Sequence, residues 1–123
     1  LEQEVNCLSY RILPERFYQF MWWDNECEVE WYRLMCAVEV ERLADIPPGY
    51  RGKYIPKGRY LKFVHRGKSA EVGRTYRYIY STWLPQSNYR LTEAYNFERY
   101  GSCFAGPDQA DSESEIYIPV CSL

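Results

Sequence analysis

The chain lacks any apolar run near the roughly 18 residues of a spanning helix, and its start has no basic segment followed by an apolar one. A soluble, cytoplasmic protein is expected. It has one histidine, His65, so Ser-His-Asp or Cys-His chemistry would have to be built on it. Its place just before Gly67 fits the end of a strand better. The five cysteines (Cys7, Cys27, Cys36, Cys103 and Cys121) include no C-x-x-C pair or metal-ligand spacing, and their number is odd. Reduced thiols packing as small hydrophobes are expected, with no metal and no cofactor. A net charge of -2, with Lys and Arg scattered, offers no block able to neutralise several phosphates. Nucleic acid is therefore excluded as the main partner.

What the chain has in excess is aromatic side chains. They make up 18% of its 123 residues, and 13 are tyrosines, whose apolar body and polar tip suit wet pockets and interfaces. The length suits one domain with a core that needs no disulfide or structural metal. On composition alone, an aromatic core with surface tyrosines accounts for the excess as well as a pocket does.

Leu1, Val5, Leu8 and Ile12 recur at helical spacing, which predicts an amphipathic helix ended by Pro14. Residues 17–23 are short and aromatic and read as a strand, followed by the turn Asp24-Asn25-Glu26 and a return strand over 29–40. From Glu41 to Lys57 periodicity is lost among prolines and glycines, a long connection. Residues 59–65 alternate as a strand that Gly67 breaks, and Ser69 is the expected N-cap of a helix over 70–84. Val72, Tyr76, Ile79, Tyr80 and Trp83 form its inner stripe, and Leu84-Pro85 closes it. After an ambiguous stretch come a strand over 96–100, a solvated turn over 105–114 and a final strand over 115–120. The second half thus reads strand, helix, strand, strand, and the first half matches it without its leading strand. That order implies an internal duplication, with a first repeat of about 1–41, a connection over 42–57 and a second repeat of about 58–121. The first strand is absent or supplied otherwise, and an open sheet edge of that kind invites strand addition.

Within the run Phe97-Glu98-Arg99-Tyr100, alternation puts Glu98 and Tyr100 on one face and Phe97 and Arg99 on the other. A strand carboxylate among rings either pairs at the surface with a basic residue across the sheet or is buried and must find a partner. The residues alone leave both readings open.

Tyr54-Ile55-Pro56-Lys57-Gly58-Arg59-Tyr60, His65-Arg66-Gly67, Trp83-Leu84-Pro85, Phe97-Glu98-Arg99-Tyr100 and Ile118-Pro119-Val120 together resemble, in order and spacing, the GyrI-like small-molecule-binding domain. The same domain serves as the effector-binding part of AraC- and MerR-type regulators. The strand at Val38-Glu39-Val40 looks like that family's first repeat. The resemblance implies one α+β domain over 1–123, a duplicated strand-helix-strand-strand fold whose curved antiparallel sheet carries two helices. It also implies a cleft between the repeats for lipophilic, often cationic ligands, with Glu98 as the central acid. A stand-alone version, without a preceding helix-turn-helix, is expected.

The expected ligand is an amphipathic, cationic aromatic or drug-like molecule that is bound and not turned over. Glu98 would be its counter-ion. The expected walls are Tyr100, Tyr60, Tyr76, Tyr80 and Trp83, with Trp22 and Trp31 from the first hairpin and Glu39 as a second, lesser acid. Tyr76 and Trp83 equally fit a helix core, and Glu39 equally fits a solvent-facing residue paired with Arg33. Two alternatives remain: a protein-protein module resembling gyrase inhibitors, anchored by Trp22 and Trp23, and a hydrolase of reactive small molecules with Glu98 as base. The chain is expected as a monomer or as a homodimer through the open sheet edge, with no membrane partner.

Overall fold

The computed structural model describes residues 8–23 and 32–123. Six antiparallel strands form one curved sheet: β1 (Phe17–Trp23), β2 (Tyr32–Val38), β3 (Tyr60–Arg66), β4 (Tyr89–Leu91), β5 (Tyr95–Tyr100) and β6 (Glu113–Ser122). The order is β2-β1-β5-β6-β3, and β4 pairs with the far end of β6. A helical segment lies between β3 and β4, so the architecture is α+β.

That segment begins as a 3-10 turn over Ser69–Glu71, continues as α1 (Val72–Tyr78), widens to a π turn over Ile79–Trp83 and tightens to 3-10 over Leu84–Gln86. Pro85 explains the irregular end, since it has no N-H and its ring crowds the carbonyl four residues earlier. Ser69 is not the N-cap expected of it. Lys68 stands at the cap with no side-chain bond, and the Ser69 amide instead donates to the Pro107 carbonyl at 2.8 Å. Gly67 makes the entry turn at φ 131°, a conformation that a residue with a Cβ rarely adopts.

Among the described residues this is the one helical segment, against an expected two. The first helix was expected over Leu1–Ile12, and residues 1–7 lie outside the described part. Residues 8–12 are not helical: Tyr10 sits at φ 61°, Arg11 bridges Val40, and Ile12 N donates to the Glu39 carbonyl at 3.3 Å. Backbone pairing alongside residues 39–41 has overridden the helical spacing of Leu8 and Ile12. The ambiguous stretch resolves into β4, a short strand that carries little pattern of its own.

Cross-strand partners share a face, so register sorts the side chains into two layers. One row runs Cys36, Gln19, Glu98, Ile116, Phe63 from β2 to β3; the next, on the opposite face, runs Met35, Phe20, Phe97, Tyr117, Lys62. The helix packs on the first face. Ile79, Ile116, Ile118 and Val120 form the buried core there, with Phe63, Val72 and Tyr76 packed around it. His65, on the same face, bonds Thr75 Oγ1 at 2.6 Å and the Lys68 carbonyl at 3.0 Å, tying β3 to the helix start. Both ring nitrogens are occupied in a structural role. Among the described residues no helix is long and apolar enough to cross a membrane, and Cys36, Cys103 and Cys121 are free thiols.

Ile116 is fully buried at 0% exposure, whereas Val64, on the opposite face, is 51% exposed. Ile116→Ala is expected to cost about 2–5 kcal/mol in urea unfolding, and Val64→Ala no more than about 0.5 kcal/mol. Equal effects would contradict this division of the sheet.

Candidate functional site

β5 presents Asn96, Glu98 and Tyr100 to the helix side of the sheet. Glu98 is 8% exposed. Its Oε2 accepts from the Tyr76 hydroxyl at 2.7 Å, and its Oε1 is 3.3 Å from the Tyr100 hydroxyl. Tyr100 has a shorter bond, 2.9 Å, to Gln19 Oε1 on β1. One phenol hydrogen serves both acceptors, so Oε1 receives a shared bond at best. Among the described residues Glu98 takes part in no ion pair. It is a buried acid held by neutral donors alone.

Glu115, on β6 and facing the other way, gives the contrast. It accepts from Arg99 and from the Tyr117 hydroxyl, both at 3.0 Å, and Lys62 lies at 3.5 Å. Burial alone would raise its pKa, but the bonds from Arg99 and Tyr117 and the Lys62 charge hold the carboxyl below its ordinary value. The fold therefore supplies cations to one strand acid and withholds them from its neighbour.

Asn96, 1% exposed, donates from Nδ2 to the Tyr80 hydroxyl at 2.9 Å. Its Oδ1 has no donor. Tyr76 and Tyr80 stack in parallel, with ring centroids 6.4 Å apart and planes at 14°, so one aromatic wall stands over both β5 polar groups. From Glu98 toward β2, exposure increases through half-buried Gln19 to exposed Cys36 and Leu34. Burial first, then the Glu98 charge, pushes the Tyr76 and Tyr100 hydroxyls well above the ordinary value of 10.0, and burial does the same to Tyr80. The three phenols stay protonated, and those of Tyr76 and Tyr100 donate to the acid and do not repel it.

The structure brings Glu98, Tyr76, Tyr80 and Tyr100 together. The other expected wall residues that the structure describes stand elsewhere. Tyr60 bonds Tyr95 and meets Phe97 edge-on, and Trp22 packs on Phe20, so both belong to the opposite face. Trp83 sits at the far end of the helix between Phe63 and Tyr89. Trp31 lies outside the described residues. Glu39 pairs with Arg16 at 2.9 Å, not with Arg33, and accepts from the Tyr18 hydroxyl, which burial and that bond push up to about 12. Trp22 and Trp23 are both partly buried. Asn96 was not foreseen, although its spacing of two residues from Glu98 puts it on the same strand face.

A cavity of about 600 Å³ opens on the opposite face, between β1–β2 and the 41–55 connection, with Tyr18, Phe20, Met35, Glu39 and Lys53 in its lining. Glu98 does not line it. Of the charges there, Glu39 is paired with Arg16, and the Lys53 ammonium sits 4.5 Å from the Phe20 ring centroid. Among the described residues no cluster of His, Cys, Asp and Glu is arranged to hold a metal ion.

A family model, described as the GyrI-like small molecule binding domain, matches residues 5–120. The chain is also similar to the transcriptional regulator BrlR of Pseudomonas aeruginosa, at 26% identity over 89 residues, 72% of this chain and 33% of the relative. It thus spans about a third of that relative's length.

The raised phenol pKa values fix a sign. The fold favours the protonated hydroxyls, so their contribution to stability is complete below the unfolded value near 10 and is lost as pH rises above it. In an absorbance titration, Tyr76→Phe is expected to leave the tyrosinate signal up to about pH 11 unchanged. Loss of one tyrosine's signal in that range would contradict the geometry. Tyr76→Phe also leaves Glu98 short of its best donor, with an expected cost of about 1–3 kcal/mol in urea unfolding at pH 7.

Proposed function

The chain belongs to the GyrI-like small-molecule-binding family, and from that membership we propose that it binds amphipathic, cationic aromatic molecules on the helix face of the sheet, with Glu98 as counter-ion. The observation that carries this reading is a carboxylate 8% exposed that no basic side chain among the described residues pairs with. Holding an ionised carboxylate out of water costs several kcal/mol unless a cation or enough donors answer it, and two phenols answer it only in part. A bound cation supplies the missing partner. Tyr76 and Tyr80 offer their stacked rings, and each cation-π contact adds about 0.5–2 kcal/mol. The rising exposure through Gln19 to Cys36 supports entry from the β2 side.

The wall in this reading is Tyr76, Tyr80 and Tyr100, with Tyr60, Trp22, Trp83 and Glu39 left to the roles described above. Binding without turnover is the proposed outcome, since among the described residues no second acid or base is bonded to Glu98 to share a reaction. The pairing of β1 with β2 and of β5 with β6 supports two unequal repeats, with the ligand lying where they meet.

Fluorescence titration with a panel of lipophilic cationic dyes and neutral analogues tests the proposal. Glu98→Gln is expected to weaken the cations by about 10-fold or more and to leave the neutral compounds unchanged. Added salt is expected to have little effect, because a buried pair is poorly screened. Unchanged affinity for the cations in Glu98→Gln would sink the counter-ion role.

A further inference from the structure

We infer that the site selects cations carrying N-H donors, such as primary ammonium or amidinium groups, over quaternary ones, through Asn96 as a second acceptor beside Glu98; this rests on the counter-ion reading above. Glu98 offers about four lone-pair positions and receives one good bond, from Tyr76, and one shared bond, from Tyr100. Asn96 Oδ1 receives none, although the residue is 1% exposed. Two side-chain acceptors between β5 and the helix, on Glu98 and Asn96, are therefore left short of donors.

Asn96 Nδ2 donates one hydrogen to the Tyr80 hydroxyl, and Oδ1 is left without a donor. Asn96 and Glu98 lie two residues apart on one strand face, about 7 Å between Cα atoms. Each is bonded to one of two tyrosines on the same stretch of helix, whose parallel rings leave the two acceptors under a common wall.

A quaternary ammonium or phosphonium answers the charge of Glu98 and gives nothing to Asn96. Its bulk also blocks water from reaching the amide oxygen. An N-H cation answers both. Buried acceptors left unpaired are what make such sites discriminate strongly between a donor and its alkylated analogue.

The test is calorimetric titration of the protein with naphthylmethylammonium and with its N,N,N-trimethyl counterpart. The wild type is expected to bind the primary ammonium about 10-fold more tightly or better. In Asn96→Ala that preference should collapse to about 3-fold or less, with Glu98→Gln weakening both ligands. The wild-type comparison requires no substitution, so poor folding of Asn96→Ala would not remove the test. Equal binding of the two cations by the wild type, with both weakened by Glu98→Gln, would overturn the role of Asn96 and leave the counter-ion reading intact. A preference that survives in folded Asn96→Ala would assign it to ligand size and overturn the inference in the same way. If neither cation binds the wild type, the counter-ion reading fails, and this one with it.

Discussion

A carboxylate held inside the protein by phenols, with no cation paired to it among the described residues, is the constraint on which the rest of the structure depends. Glu98 stands in the middle strand of the row β2-β1-β5-β6-β3, where neither face is open to full solvation. Keeping it there requires donors from elsewhere. Tyr76 comes down from α1 and Tyr100 from two residues along the same strand, while Gln19 on β1 anchors Tyr100. The helix is therefore fixed to the sheet by polar bonds at one side and by the Ile79, Ile116 and Ile118 core at the other.

The opposite face solves a similar problem differently. Glu115 has Arg99 and Lys62, Glu39 has Arg16, and the Phe20 ring has the Lys53 ammonium. Acid charge at Glu115 and Glu39 is neutralised within the chain. Charge at Glu98 is not, and the difference comes from strand parity. Residues 97, 99, 115 and 117 gather rings and ions on one face, and 96, 98, 116 and 118 gather the core and the two unanswered acceptors on the other.

Much of this was legible in the sequence because strands and helices leave a period. The short aromatic run 17–23, the alternation of 59–65, the strands read over 96–100 and 115–120, and the Val72, Tyr76, Ile79, Trp83 stripe all mark elements that the structure contains. The face shared by Glu98 and Tyr100 followed from parity alone. Parity within one strand does not give register between strands, and for that reason Trp22 and Tyr60 were grouped with Glu98 although the sheet turns them away from it. Leu8 and Ile12 misled in another way, since a four-residue spacing says nothing of backbone pairing with Val40. The cavity could not be read at all, because the 41–55 connection that walls it has no period. Asn96 shares the face of Glu98 by the same parity, two residues before it, but an amide carries less obvious chemistry than an acid.

The central claim is that the ligand occupies the helix face and not the cavity on the other side, and the two methionines make that a direct measurement. Met21 faces the helix side opposite Asn96, and Met35 lines the cavity. With both methyl groups labelled with carbon-13, titration with a lipophilic cationic dye is expected to move the Met21 NMR signal and leave Met35 in place. Movement of Met35 alone would put the ligand in the cavity and contradict the account.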